Sequence, residues 1–141
     1  MITVLTKTQQ KTYIHNVGST AAHQAVPYLG VYSATKAFVL SFSRAIFHEL
    51  KDENISVTCL CPGPTDTNFI NRAGMNKFKK VMDKSEKYSM KPEDVAEKGV
   101  NALFKGIPEI IPGGTNKAGA TFSRILPKKL VEKTLVGIYK P

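Results

Sequence analysis

The nine residues ISVTCLCPG, 55 to 63, decide the fold of this chain. The first seven are apolar or β-prone, which predicts a strand. The run then ends abruptly at Pro62-Gly63, a pair typical of a sharp turn. The stretch therefore predicts a strand with a sharply defined end.

Two other short runs have the same form. TYIHNV, residues 12 to 17, precedes Gly18-Ser19, and PEIIP, residues 108 to 112, precedes Gly113-Gly114. Both runs are rich in residues that favour strands and end at turn residues. The sequence therefore predicts three short strands.

The segment between the first two strands is predicted to be a helix from about Val31 to about Lys51. Its apolar side chains cover more than one face, which indicates burial against both a sheet and another helix or a second subunit. These side chains are Ala34, Phe38, Val39, Leu40, Phe42, Ala45, Ile46, Phe47 and Leu50. We expect this helix to be a packing element and the surface through which a homo-oligomer forms.

Three further helical segments follow the second strand. A basic stretch is predicted from about Thr67 to Lys87, and another helix begins at Pro92, with acids in its first turn, and ends at Gly106. The tail from 123 to 140 carries apolar residues at helical spacing among lysines. This amphipathic helix either docks on the body of the protein or lies on a membrane surface.

The alternation of strands and helices is typical of a parallel sheet covered by helices. The predicted fold class is therefore α/β, with 1 to 141 as a single domain whose core runs from about 13 to 112. In such a sheet, ligands bind beyond the carboxyl ends of the strands. Ser19, Pro62-Gly63 and the start of the long helix are all expected at that one edge.

Tyr32 and Lys36 open the long helix four residues apart, so they lie on one face, one turn from each other. An ammonium beside a phenol favours the phenolate form, which lets a phenol exchange a proton nearer to neutral pH. The alternative is a surface lysine whose aliphatic chain packs past a buried tyrosine. The spacing of the two residues does not decide between these interpretations.

Composition excludes some classes of protein. With 42% apolar and 22% charged residues, the chain is an ordinary globular domain, and no apolar run reaches the eighteen residues of a membrane span. The start, MITVLTKTQQK, does not resemble a secretory signal, so a cytoplasmic protein is expected, with association with a membrane surface as the alternative. The net charge of +9 could indicate nucleic acid, but the basic residues are spread along the chain, so no nucleic-acid partner is expected.

Cys59 and Cys61 are alternate residues of the second predicted strand, so their side chains point the same way and are expected to be reduced core thiols. The histidines, His15, His23 and His48, are scattered along the chain. A metal site needs more ligands at short spacing than the sequence offers, so no metal is expected.

Taken in order, these motifs closely resemble the short-chain dehydrogenase/reductase family. Asn-Val-Gly-Ser at 16 to 19 is followed by Tyr-Ser-Ala-Thr-Lys at 32 to 36, with the tyrosine thirteen residues after the serine. Cys-Pro-Gly-Pro-Thr-Asp-Thr then occupies 61 to 67. The resemblance covers about 13 to 112 and implies the C-terminal, active-site half of a doubly wound Rossmann fold, followed by an amphipathic helix.

The resemblance also implies catalytic roles. Tyr32 would exchange a proton with a carbonyl or alcohol oxygen of a small-molecule substrate while a hydride passes to or from a nicotinamide ring. Lys36 would assist through its charge and bond the nicotinamide ribose, and Ser19 would hold the substrate oxygen. Contacts with the cofactor, NADP or NAD, are implied for Tyr32, Lys36, Pro62, Gly63, Thr65 and Thr67.

His23 and Tyr28 lie in the segment that lines the substrate pocket in this family, so they are further candidates for shaping specificity. A solvated loop histidine is the alternative for His23.

The chain also departs from the family pattern. None of its ten glycines falls in a TGxxxGxG turn, which anchors the cofactor pyrophosphate, and Asn16 belongs to the strand motif rather than replacing the family's catalytic asparagine. The chain is therefore expected to be truncated and weakly active or inactive. The strand at 12 to 17 would be an open sheet edge, and a non-catalytic protein acting through association is the alternative.

Overall fold

The computed structural model describes residues 10–75 and 78–140. Strands and helices alternate along the chain, as the sequence predicts, and a short 3-10 helix follows the first strand. The elements are β1 (Thr12–Val17), the 3-10 helix (Thr20–His23), α1 (Gly30–Glu49), β2 (Ile55–Leu60), α2 (Phe69–Arg72), α3 (Lys79–Tyr88), α4 (Pro92–Phe104), β3 (Glu109–Ile110), α5 (Gly114–Ile125) and α6 (Lys128–Tyr139).

Within the described residues, the sheet has three parallel strands in the order β1-β2-β3. β2 lies in the centre and is buried at all of its positions. Its two polar side chains are satisfied, because the Ser56 hydroxyl donates to the Leu103 carbonyl at 2.8 Å and the Thr58 hydroxyl donates to the Ile107 carbonyl at 2.7 Å. A polar residue can occupy a fully buried strand when its hydroxyl finds such a partner.

Alternate residues of β2 contact opposite layers of helix. Ile55 and Val57 pack against Ile46 of α1 and against Leu50, the residue that caps the end of this helix. The intervening Ser56 bonds the end of α4, which covers the other face. Because strand side chains alternate between faces, α1 and α4 sandwich the sheet, and the predicted α/β class is confirmed.

Several predicted boundaries shift. The long helix begins at Gly30 and ends at Glu49, and the third strand is only two residues long, Glu109–Ile110. The single helix predicted over 67 to 87 is wrong: α2 and α3 are separate, and Gly74, with φ of +63°, ends the first. Glycine reaches that left-handed backbone without strain. Residues 76 and 77 lie outside the described structure, as does MITVLTKTQ at the start of the chain.

The predicted tail helix from 123 to 140 is also wrong in its bounds. Ser123 belongs to α5, a helix that the sequence reasoning missed. This helix ends before Leu126-Pro127, and α6 begins after them. Leu126 has ψ of 152°, the extended conformation that a following proline favours. The helical spacing of apolar residues continues across Leu126-Pro127, so only the proline indicated that the helix is interrupted there.

The surface has an exposed apolar cluster and an open sheet edge. The α1 side chains Phe38 and Phe42 are 69% and 48% exposed and stack with ring centroids 6.0 Å apart. β1 lies at an edge of the sheet, as predicted. Among the described residues, no helix combines the length and apolar character needed to cross a bilayer.

Candidate active site

A cavity of about 510 Å³ lies at the carboxyl ends of β1 and β2. Parallel strands place the loops that follow them at the same edge, which explains why segments distant in sequence meet here. The predicted residues that line it are Ser19, Tyr32, Lys36, Pro62, Gly63, Thr65 and Thr67. The structure therefore brings together all three predicted catalytic residues and the predicted cofactor-binding residues.

Ser19 is buried at the end of β1, where it caps the 3-10 helix. Its Oγ accepts a hydrogen bond from the Ala21 N–H at 3.1 Å. A serine hydroxyl carries one hydrogen and two lone pairs, so this contact leaves its hydrogen available to a ligand. Ser19 can therefore cap the 3-10 helix and donate a hydrogen bond into the cavity at the same time.

Tyr32 and Lys36 occupy the first turns of α1 and face the same cavity. The Lys36 Nζ donates to the Val17 carbonyl, at the end of β1, over 2.9 Å. It lies 5.9 Å from the centroid of the Tyr32 ring, and that ring is 5.8 Å from the ring of Phe69. The ammonium is thus anchored beside the phenol instead of extending freely into solvent.

The loop after β2 forms another wall. The Pro62 carbonyl accepts from the Thr20 N–H at 2.9 Å, which joins this loop to the start of the 3-10 helix. The Thr65 hydroxyl donates to the Gly63 carbonyl at 3.1 Å, and Thr67 Oγ1 accepts from the Phe69 N–H at 3.4 Å. Thr67 therefore keeps a hydroxyl hydrogen that it can donate.

Gly63 is required by a contact that the sequence did not reveal. A β-carbon at this position would collide with the side chain of Asn116 in α5. The Asn116 amide is held in place because it donates to the Pro112 carbonyl at 3.0 Å. The glycine thus permits α5 to approach the loop after β2.

The far end of the chain completes the cavity. Ile138 and Tyr139 of α6 line it together with Phe69 and Val81. The Tyr139 ring packs against Phe78, with centroids 6.1 Å apart. Burial, followed by the neighbouring Tyr32, raises the pKa of Tyr139, so it stays a neutral phenol. Sequence reasoning missed these residues. The amphipathic spacing of α6 indicated a helix, but it did not indicate that this helix packs against the cavity.

The prediction that His23 and Tyr28 line the pocket does not fit the geometry, because neither lines this cavity. Tyr28 is 54% exposed and has a φ of +66°. Other residues of the same segment, Gln24, Val26 and Leu29, line the cavity instead. The Gln24 side-chain oxygen is buried without a hydrogen-bond partner.

His23 belongs to a separate polar cluster. Its Nδ1 lies 2.8 Å from Nη2 of Arg124, which can only donate, so Nδ1 is the acceptor and the proton is on Nε2. That Nε2 lies 3.4 Å from Oε1 of Glu109, which also pairs with Arg44 and Arg124 at 3.2 Å and 2.9 Å. Burial first, and then Arg124, lowers the pKa of His23, so the ring stays neutral.

The donor atoms of His23, Cys61 and Glu109 lie within 4.8 Å of one another, the one group of metal-type donors in the described ranges. A metal on Nε2 would require the ring proton to move to Nδ1, where Arg124 already donates. Cys59 and Cys61 are free thiols with sulfurs 3.8 Å apart. Its hydrogen bond with Cys59, followed by burial, raises the pKa of Cys61, so its thiol is a poor ligand. We assign no metal here.

The fold and the cavity define a class: an α/β protein with a tyrosine, a lysine and a serine at the carboxyl edge of a parallel sheet. The family model for short chain dehydrogenase matches residues 1–77, more than half of the chain. This protein belongs to the short-chain dehydrogenase family.

Among curated relatives, the chain is 41% identical over 66 residues to a diacetyl reductase [(S)-acetoin forming] of Staphylococcus epidermidis, which covers 47% of this chain and 26% of that protein. It is 32% identical over 105 residues to the mouse 17-beta-hydroxysteroid dehydrogenase type 3, which covers 74% of this chain and 34% of that protein. The matched part is thus about a third or less of these relatives.

Solved structures show the same fold. A short chain dehydrogenase from Burkholderia cenocepacia in complex with NADP superposes with a TM-score of 0.66 at 21% identity, covering 87% of this chain and 48% of that one. A 7beta-hydroxysteroid dehydrogenase gives a TM-score of 0.67 at 23% identity, covering 86% and 46%. The chain spans about half the length of these proteins.

Proposed function

We propose that this chain carries the proton-transfer site of an NAD(P)(H)-dependent oxidoreductase that interconverts a carbonyl compound and an alcohol. The observation that carries this proposal is that Ser19, Tyr32 and Lys36 line one cavity. A hydroxyl, a phenol and an ammonium facing one space are the groups needed to hold a carbonyl oxygen and give it a proton.

Each of the three residues has a distinct task. Tyr32 is the general acid when the carbonyl is reduced and the general base when the alcohol is oxidised. Ser19 donates its hydroxyl hydrogen to the substrate oxygen and holds that oxygen beside the phenol. Lys36, anchored on the Val17 carbonyl, stabilises negative charge on the phenol oxygen by Coulomb attraction.

The loop after β2 fits the nicotinamide end of NADP or NAD. Pro62, Gly63 and Thr65 line the same cavity as Tyr32, and Thr67 retains a hydroxyl hydrogen for the carboxamide. When bound, the nicotinamide supplies or receives the hydride. The hydroxyl of Tyr32 and the ammonium of Lys36, which line the same cavity, would hold the ribose of the cofactor.

We propose a substrate with mainly apolar surface. The walls away from Ser19 are formed largely by aliphatic and aromatic side chains, namely Val26, Leu29, Phe69, Ile70, Met75, Val81 and Ile138. Burying apolar surface against such walls favours binding. Gln24 and Tyr139 are the polar groups available to a second oxygen of the substrate. A relative named as a hydroxysteroid dehydrogenase is consistent with this class.

Nucleotide binding is the direct test. Because the 141 residues contain no TGxxxGxG turn, we expect the chain alone to bind weakly and turn over slowly. NADPH and NADH are titrated separately against the purified chain, and nucleotide fluorescence is followed. Saturable binding that Thr67→Val weakens supports the proposal. Absence of binding to either nucleotide would contradict it for this chain.

A second candidate function is association without catalysis, favoured by the exposed and stacked Phe38 and Phe42 of α1. We propose that two copies meet through this face, which removes both rings from water. Sedimentation velocity would then show a dimer that Phe38→Ser weakens and Phe122→Ser, at an exposed site on α5, leaves intact. A monomer at all concentrations contradicts dimer formation.

A further inference from the structure

The last two helices meet at a corner with exposed apolar side chains. Phe122 and Ile125 are 60% and 73% exposed, and Leu126 is also exposed. Phe122 and Ile125 share one face of α5 because they are three residues apart, and Leu126 directly follows the last residue of this helix. The opposite face, which carries Ala120 and Ser123, is buried. This end of α5 therefore directs apolar side chains away from the body of the protein.

The tail helix α6 contributes to the same corner. Its inner side faces the body, because Ile138 and Tyr139 line the active-site cavity and the Lys80 Nζ donates to the Gly137 carbonyl at 2.8 Å. Leu130, in the first turn of the helix, is 53% exposed. The two alternatives for the tail are thus compatible, since the last turn docks and the first turn stays open.

The charge around this corner is mainly positive. From Gly114 to Lys140 the only acid is Glu132, and the basic residues are Lys117, Arg124, Lys128, Lys129, Lys133 and Lys140. Arg124 is paired with Glu109, and Lys128 bonds the Ser123 carbonyl at 3.1 Å. Lys129 and Lys133 are exposed beside Leu130. Apolar side chains rimmed by lysines match the boundary of an anionic bilayer.

A second copy of the chain fits this surface less well. Two-fold association through the corner would bring both sets of lysines together, and like charges at an interface oppose association. An anionic surface instead compensates Lys129 and Lys133 while Phe122 and Ile125 leave water.

We propose that the basic corner, formed by Phe122, Ile125, Leu126, Lys129, Leu130 and Lys133, docks this protein on anionic membrane surfaces. The inference is independent of the proposed redox function. With Tyr139 of the same helix α6 in the cavity wall, docking would bring the active-site cavity close to the lipid. This position suits a substrate of mainly apolar surface.

Vesicle co-sedimentation of the 141-residue chain tests the proposal. We expect binding to vesicles of phosphatidylcholine with phosphatidylserine, much weaker binding to phosphatidylcholine alone, and weakening by salt. Lys129→Gln combined with Lys133→Gln should reduce the partition coefficient by roughly tenfold or more, since each lysine near an anionic surface contributes a factor of about five. Phe122→Ser combined with Ile125→Ser should also weaken binding.

Matched controls lie elsewhere on the surface. Tyr88→Ser at the end of α3 and Lys105→Gln after α4 remove an exposed ring and an exposed charge, and both should leave vesicle binding unchanged. Circular dichroism verifies that each variant is folded. Equal binding to both lipid compositions, or equal loss in the control variants, overturns the proposal. So does a concentration-dependent dimer that only the Phe122 and Ile125 variant dissociates, because the occupant is then a second copy.

Discussion

Two polar clusters flank the same end of the sheet and differ in what their groups are free to do. In the cavity, Ser19 and Tyr32 keep hydroxyl hydrogens that face open space, and Lys36 is held by a single backbone carbonyl. In the second cluster, Glu109 and its neighbours His23, Arg44 and Arg124 are committed to one another. The two sets therefore have different capacities, because one set faces a cavity and the members of the other set pair with one another.

The largest effect should come from removing the phenol hydroxyl at the cavity. Tyr32→Phe keeps the ring that packs near Phe69 but removes the proton donor, so we expect turnover to fall by about 10²- to 10⁴-fold. The rate of NADPH oxidation with an apolar ketone measures this effect. Tyr28→Phe, outside the cavity, is the control and should keep the wild-type rate. If Tyr32→Phe bound nucleotide normally and reacted at the wild-type rate, the proton-transfer role would be wrong.

A steric change at the cavity wall should lower stability. Gly63→Ala would push a methyl group into Asn116, whose amide is bonded to the Pro112 carbonyl, at an expected cost of about 1–3 kcal/mol. Urea unfolding measures the difference. Gly119→Ala in α5 meets nothing within 4 Å and should stabilise the helix by about 0.5–1 kcal/mol. Equal effects of the two substitutions would show that the contact with Asn116 is unimportant.

In the second cluster, formed by Glu109, His23, Arg44 and Arg124 and called the closed cluster below, Glu109→Gln removes the carboxylate that the two arginines share. Arg44 and Arg124 are about half exposed, so solvent screens their charges and limits the expected cost to about 1 kcal/mol. Turnover should be unaffected because Glu109 does not line the cavity. Glu97→Gln, at an exposed position of α4, is the matched control for losing a negative charge. A loss of turnover with unchanged stability would mean that the two clusters are coupled.

The contrast between the clusters also separates what the sequence could predict from what it could not. Ser19, Tyr32 and Lys36 were predictable because the elements carrying them are consecutive, and parallel strands bring consecutive loops to one edge. The partner of His23, Arg124, lies 101 residues away, and nothing local in the sequence indicates that distance. Tyr139 was missed for the same reason.

Local periodicity was reliable for the type of each element and weak for its ends. α1 and α4 were predicted within a few residues because their apolar spacing is long and regular. The tail was misjudged because apolar residues continue at helical spacing through Leu126-Pro127, although the proline cannot continue the preceding helix. The choice of pocket residues in the segment from 20 to 29 depends on the 3-10 turn, which alternation of residue types does not reveal.

The smallest expected effect is the pH dependence of the closed cluster. Burial lowers the pKa of His23 from its ordinary 6.5. Just below that pH, His23 is therefore protonated in the unfolded chain and neutral in the folded chain. The stability contributed by the neutral ring is full above pH 6.5 and is lost as the pH falls below it.

His23→Asn keeps an acceptor near the Nδ1 position for Arg124 but does not titrate. The decrease in melting temperature from pH 7 to pH 5 should therefore be shallower in this variant than in the wild type. His15, whose pKa burial also lowers, remains in both proteins and sets the residual slope. Identical slopes would mean that His23 takes up its proton as readily in the folded cluster as in the unfolded chain, and the tautomer inferred from Arg124 would then be wrong.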